Sequence, residues 1–489
     1  MKTENIRECF LTAAKKKTLR REVAEVIREQ RPPGCTDPGP QCLQEHVDAL
    51  QKILIAETYE PPKHRKQRIN EYNCGKVREI VRPYYKYEQV VHHCIVRQIQ
   101  PIILHGLYEH ALGSIPGRGP HDGKRTIEKW IRGYKGRKFY ILKADVRHCS
   151  QTEDIDVIDA KFRRIIKDDR FLRLNRKVLE CEAEAAPLAQ LLAEMDKDTA
   201  LHFVEAVNQT GPLLVGLPLG FVTSQWYTQL NYREFDRKIV QEWPGADHYM
   251  RYMDDIVIFG RNKKQLHQLR RLIEEYLAVE MHQTLKRNWQ VFRFEYVDRK
   301  TKKTRGRALD FMGFVFHHNR TTMRKSILER SRRKARRIAK KPRPTWYDAA
   351  AMLSYIGWYD HTDTYGYFEE YIKPFVNVRQ LKKIASKHSR KERKRYDELV
   401  QSTKHGKTGR VRSEVQPDHC IPAEGDRTDR GRPDGRGGHQ PDLGVHGAAA
   451  DPRRVRRLPG RTGKPCNPDD HADPVCDRTG AGNADDVRR

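Results

Sequence analysis

Apolar positions recur along this chain with two periods, and the changes between them divide it into elements. From 41 to 57, Leu43, Val47, Leu50 and Leu54 return at helical spacing until Pro61-Pro62, which predicts a helix there. Residues 88–104 read as a second helix. Phe139 to Val146 reads as a buried strand ending in Asp145, and residues 156–207 as a polar, helical insertion. A loop from Gly216 to Gly220 precedes a helix starting near Thr223. Residues 249–259 form two apolar, β-branched runs around a turn, which predicts a hairpin. Asn262 is placed to cap a helix carrying Leu266, Leu269, Ile273 and Leu277 on one face. Phe311 to Phe316 reads as a further strand. A basic helix follows over Ser326 to Lys341, then one with Trp346, Ala350 and Leu353 on a face. Beyond residue 400 the pattern stops: 401–489 hold no Phe, Trp or Tyr, while Arg, Gly, Pro and Asp dominate. Such a segment cannot bury enough apolar surface to offset its ordering entropy, so a disordered tail is expected. Cys466, His471 and Cys476 resemble part of a zinc knuckle, but Gly463 stands where a fourth ligand is needed.

Charge narrows the class of partner. The 489 residues carry 95 Lys and Arg against 65 Asp and Glu, a net charge of +30. That excess suits a polyanion, with nucleic acid the leading candidate. Mean hydropathy is −0.85, and no apolar run approaches the ~18 residues of a spanning helix. No apolar core follows Met1-Lys2-Thr3-Glu4-Asn5, so no secretory leader is expected. The ten cysteines include no Cys-x-x-Cys pair, which fits a reducing compartment. A cytoplasmic protein without membrane attachment is the expectation.

The hairpin turn carries the chemistry. Asp254 and Asp255 sit side by side in Arg251-Tyr252-Met253-Asp254-Asp255, among apolar residues. Unpaired carboxylates there are costly, so a cation should meet them, and hard oxygen ligands suit Mg²⁺. The plainer alternative is an acidic tip in water.

Six segments, in order, resemble the prokaryotic reverse transcriptases of the group II intron and retron lineage over roughly residues 60–380. They are Val77-Arg78-Glu79-Ile80-Val81-Arg82-Pro83, Gly113 to Gly119, Leu142-Lys143-Ala144-Asp145-Val146, Gly216 to Gln225, Tyr252-Met253-Asp254-Asp255 and Leu309 to Phe314. The resemblance implies an α+β right-hand polymerase fold: an N-terminal helical extension over 1–60, fingers and palm over 61–320 and a short, basic, helical thumb over 321–400, before the tail at 401–489. It implies an RNA-directed DNA polymerase that joins nucleotides with two Mg²⁺ ions, Mn²⁺ being able to substitute. Asp145 and Asp254 would bridge both metals and Asp255 support the site. Lys286 falls where the family has a lysine that protonates pyrophosphate; otherwise it is a surface lysine. Lys76 and Arg78 would hold the triphosphate; otherwise they form a solvated basic face. Gly220, Ser224 and Gln225 would touch the nascent pair or the nucleotide, with simple N-capping the alternative for Ser224. Arg118, Tyr252 and Gly313 would contact template or primer.

The pattern has departures. Cys149 and Ser150 replace two aromatics, the second being the family's steric gate against a ribose 2′-hydroxyl. Glu153 replaces an apolar residue. Leu219-Gly220-x-x-x-Ser224-Gln225 most resembles the enzymes of diversity-generating retroelements, which are bacterial or phage-encoded and act with a small basic accessory protein. Expected partners are an RNA template, a DNA or RNA primer and dNTPs. Intron-type, retron and phage-defence reverse transcriptases remain alternatives, as does a catalytically silent RNA-binding protein.

Overall fold

The computed structural model describes residues 6, 8, 9, 12, 40–71 and 76–404. All belong to one unit, Met1–Val411; a second unit, Arg412–Arg489, lies outside them. The expected disorder of the tail beyond Lys404 and the 466–476 ligand cluster therefore lie outside the described residues.

At the centre is a five-stranded sheet. Its strands, in chain order with the small hairpin that precedes them, are β1 (Gln67–Glu71) and β2 (Lys76–Ile80), then β3 (Ala111–Leu112), β4 (Tyr140–Asp145), β5 (His248–Tyr252), β6 (Asp255–Gly260) and β7 (Gln290–Arg293). β1 and β2 pair with each other, and the central order is β3-β5-β6-β4-β7. All central pairings are antiparallel except β3 with β5. Alternation along β4–β6 splits the side chains between two cores. Leu142, Ala144, Tyr249, Ile256 and Ile258 face Leu266, Leu269 and Ile273 of helix α1 (Lys263–Met281). Ile141, Met250, Val257 and Phe259 face Ile127 and Trp130 of the Pro120–Gly133 helix, together with Phe311, Phe314 and Phe316. Asn262 caps α1 as its position predicts, accepting from the amide of Lys264 at 2.9 Å.

The helices predicted at 41–57 and 88–104 run over Pro40–Ile55 and Val90–His105. The stretch 156–207 is less peripheral than its polarity suggests. It divides into several helices; Ile155–Ile165 and Asp169–Glu180 bury Ile158, Phe162, Leu172 and Leu179 in the core around Val90–His105. Phe311 to Phe316 is not one strand. Leu309–Phe311 and Phe314–Phe316 pair with each other across a turn at Met312 and Gly313, both with positive φ. Thr321–Met323 pairs back onto the second of these, so the boundary near 321 falls inside a sheet.

The basic helix spans Lys325–Ala339. Ile327, Ser331, Ala335 and Ile338 turn inward and pack with Met352 and Ile356 of Trp346–Tyr359. Lys325, Arg333, Arg336 and Arg337 stay exposed on the other side. A last helix, Val378–Lys404, adds exposed Lys382, Lys383, Lys387 and Arg390, and it continues past the tail boundary read at 401. Among the described residues, no helix is long and apolar enough to cross a membrane.

One buried acid sets a pH limit on this fold. Glu153, fully buried, accepts hydrogen bonds from the Thr228 hydroxyl at 2.6 Å and the Asn231 amide at 3.4 Å. Burial, only partly offset by those bonds, raises its carboxyl from an ordinary 4.5 to about 7. The folded state thus holds the proton more tightly than the unfolded one. Its stabilising effect is complete below pH 4.5 and is lost as pH rises through about 7. Chemical denaturation from pH 4.5 to 8 should show wild type losing roughly 3 kcal/mol more stability than Glu153→Gln across that window. Parallel curves for the two proteins would refute the assignment.

Candidate active site

Strand register brings the three carboxylates together. Asp145 ends β4 directly opposite Asp255, the first residue of β6, and Asp254 fills the turn between β5 and β6. The turn is held at both sides: the Met253 amide donates to the Leu112 carbonyl at 3.0 Å, and the Val146 amide to the Asp254 carbonyl at 3.2 Å. Met253 takes a left-handed conformation, φ 56°, which a non-glycine residue adopts only under constraint. Burial, then the neighbouring Asp145 charge, raises the Asp254 carboxyl above its ordinary value. The same causes, with Asp254 added, push Asp255 up to about 6. Positive charge nearby, Lys286 for both and Lys143 for Asp255, offsets these rises only in part.

Lys286 supplies part of it. Its amide donates to the Asp145 carbonyl at 2.8 Å, and its ammonium bonds Asp145 Oδ2. The other oxygen, Oδ1, is buried without a hydrogen-bond partner. Among the described residues no three acidic, His or Cys side chains already form a metal cage. Mg²⁺ seldom uses one; it is commonly held by one or two carboxylates, waters and substrate phosphates. An unpartnered carboxylate oxygen beside two further acids of raised pKa fits that mode.

The other candidates are found in different states. Ser150 is half-buried next to Cys149, whose thiol points into the core 3.4 Å from the Tyr232 hydroxyl. Ser224 does not cap its helix, Val222–Asn231: the N-cap is Phe221, and the buried Ser224 hydroxyl donates to the Pro218 carbonyl at 2.9 Å. Gln225 is exposed. Arg118 spends one nitrogen on the Tyr108 carbonyl at 2.9 Å. Arg78 is exposed on β2, and Lys76 begins that strand. Tyr252 is half-buried at the end of β5, paired with Asp255. Gly313 lies under the helical module, where a Cβ would come within 2.9 Å of Ile327 and 3.0 Å of Trp358. Gly220, φ 121°, gives space to a protein neighbour: a Cβ would stand 2.2 Å from the Val81 carbonyl oxygen. The Val81 amide also bonds the Leu219 carbonyl at 2.9 Å. The β1–β2 hairpin is thereby anchored to the loop before Ser224.

Sequence reasoning passed over Arg251. It is fully buried, as is its partner Asp236, with Nη2 and Oδ2 2.6 Å apart. The available signal was an arginine in the inward register of an otherwise apolar strand, which demands a buried acid elsewhere.

No protein-family model matches the chain. A stretch of 109 residues is 30% identical to nuclear intron maturase 1, mitochondrial, of Arabidopsis thaliana; it amounts to 22% of this chain and 15% of that protein. Among solved structures, the chain is similar to apo telomerase from Candida tropicalis truncated from its C-terminal domain (TM-score 0.38, 12% identity, covering 57% of this chain and 60% of that one). It is also similar to telomerase from Candida albicans in complex with a fragment of telomeric RNA (TM-score 0.39, 11% identity, 75% and 66%).

The Gly220 contact gives a test of the loop anchor. Gly220→Ala would drive a methyl into the Val81 carbonyl and strain the backbone, and should cost roughly 1–3 kcal/mol in urea unfolding. An unchanged midpoint would mean that the hairpin and the loop are not joined there.

Proposed function

We propose that this chain is an RNA-directed DNA polymerase. The observation that carries the reading is the register of Asp145 against Asp255 with Asp254 in the adjoining turn, which leaves a buried Asp145 oxygen unpartnered. The outward basic faces of Lys325–Ala339 and Val378–Lys404 support it, because phosphate contacts supply most nucleic-acid affinity. In the reaction, the primer 3′-hydroxyl gives up its proton to solvent water and attacks the α-phosphate of a dNTP. An O–P bond forms, the α–β bridge breaks, and pyrophosphate leaves with its electron pair. Two bound Mg²⁺ ions, or Mn²⁺ in their place, would stabilise the attacking and leaving oxygens. Asp145 and Asp254 would hold them, with Asp255 alongside. Lys286, already on Asp145, would deliver a proton to pyrophosphate. Lys76 and Arg78 would bind the triphosphate. Gln225, and Ser224 through its backbone since its hydroxyl is engaged, would line the nascent pair, while Gly220 would serve that loop by admitting the Val81 carbonyl. Arg118, Tyr252 and Gly313 would flank template and primer.

Within this class, the Leu219-Gly220-x-x-x-Ser224-Gln225 loop favours an enzyme of a diversity-generating retroelement, with a small basic accessory protein as partner. The stretch shared with an intron maturase favours a second reading, an intron-type enzyme or an RNA-binding splicing helper. Extension of oligo(dT) on poly(rA) with Mg²⁺ separates polymerase from helper. Wild type should extend the primer. Asp254→Asn should lose at least about 100-fold in rate, since several kcal/mol of charge stabilisation go with the carboxylate, while binding the RNA nearly as well. Equal extension by both proteins would sink the metal assignment.

Ser150 bears on the sugar. A serine in place of an aromatic leaves room for a 2′-hydroxyl, and a gate of this kind acts by rejection. Single-nucleotide incorporation should show weak preference for dGTP over GTP in wild type and a stronger one in Ser150→Tyr. Strong discrimination in wild type, unchanged in the variant, would show that Ser150 is not the gate.

A further inference from the structure

Arg251 is a fully buried guanidinium in the middle of a β-strand. Such a group persists only when charge and hydrogen bonds are both supplied. Its Nε donates to Asp236 Oδ1 at 2.8 Å and its Nη2 to Oδ2 at 2.6 Å, a bidentate fork. Nη2 also reaches Gln229 Oε1 at 3.1 Å, and the Tyr232 ring lies under the guanidinium at 4.8 Å. The Tyr249 hydroxyl donates to Asp236 Oδ1 at 2.6 Å. The remaining nitrogen, Nη1, donates to the Met253 carbonyl at 3.0 Å. Met253 is the left-handed residue immediately before Asp254. Gln229 reaches the same turn from another side, donating to the Gly113 carbonyl at 3.0 Å and lying 3.5 Å from the Met253 sulfur.

A pair that served stability alone could point its spare donor anywhere. This one spends it on the peptide carbonyl that orients Asp254. We infer that Asp236 and Arg251 are positioning residues: the acid anchors the fork, and the fork holds Met253 so that the next carboxylate faces Asp145. The inference rests on the proposal that Asp145 and Asp254 bind the metal for nucleotidyl transfer.

Arg251→Met alone strands a buried Asp236 charge and is expected to unfold the chain, so it cannot discriminate. The triple variant Asp236→Leu/Tyr249→Phe/Arg251→Met removes both charges and the hydroxyl that served them. An apolar replacement of a buried ion pair is often neutral for stability. The full chain is then compared with wild type by thermal unfolding, hydrogen exchange across residues 248–258, Mn²⁺ titration by electron paramagnetic resonance, and primer extension. The expected result is a nearly unchanged thermal midpoint with about tenfold faster exchange at the turn. Mn²⁺ affinity and kcat should each fall by roughly 10–100-fold, with KM for dTTP little changed. A triple variant with wild-type exchange and Mn²⁺ affinity would overturn the inference. If the triple variant does not fold, Arg251→Lys decides. It keeps the charge but loses the fork, so it should show the same fast exchange and weak Mn²⁺ binding; full wild-type behaviour would overturn the proposal. Wild type that fails to extend primers while the exchange contrast holds would reject the polymerase reading and leave the positioning role standing.

Discussion

Register between β4 and β6 sets Asp145 against Asp255, and the turn adds Asp254 beside them, at the end of a sheet whose two faces pack largely apolar cores. Like charges this close in a half-buried place are unfavourable to the fold by themselves. Much of the surrounding polar structure answers that constraint. Lys286 comes in from the segment after α1 to meet Asp145, and its own backbone is bound to the strand it serves. The hairpin turn is held in a left-handed form from two directions, by the Leu112 carbonyl and by Arg251. What the protein does not neutralise is what the proposed metal ions would meet.

Behind the carboxylates runs a second polar layer. Gln283 donates to the Cys149 carbonyl at 3.0 Å and to the Thr152 hydroxyl at 3.1 Å, and accepts from the Tyr232 hydroxyl at 2.6 Å. Tyr232 in turn lies against Arg251. The short helix after Asp145 and the hairpin that carries Asp254 are therefore fastened to the same few side chains. Buried networks of this kind specify a geometry when every member is satisfied, and they make the arrangement sensitive to single changes.

Much of this was legible from residue patterns because it depends on local rules. Continuous apolar, β-branched runs marked β4, β5 and β6, and the first of them ended in Asp145. Asn262 announced the start of α1 by its side-chain chemistry. The pattern failed where the decisive partner is distant in sequence. Nothing near Ser224 says that its hydroxyl will turn back to Pro218. Gly220 looked like room for a ligand, and the room is taken by Val81. Phe311 to Phe316 looked continuous because the turn at Met312-Gly313 lacks the usual polar turn residues; packing against Ile327 and Trp358 selects it instead. Arg251 and Asp236 are fifteen residues apart, and only the fold reveals that each explains the other.

Asp310 is bonded from two directions. Arg324, just ahead of the Lys325–Ala339 helix, donates its Nε to the Asp310 carboxylate at 2.7 Å, and Lys143, two residues before Asp145, donates to the Asp310 carbonyl at 2.6 Å. The start of the basic helix and the strand that ends in Asp145 are thus tied to one residue, by its carboxylate on one side and its backbone on the other. On the proposed reading, the surface that would meet a polyanion and the strand that carries a metal-binding carboxylate share Asp310 as a common anchor.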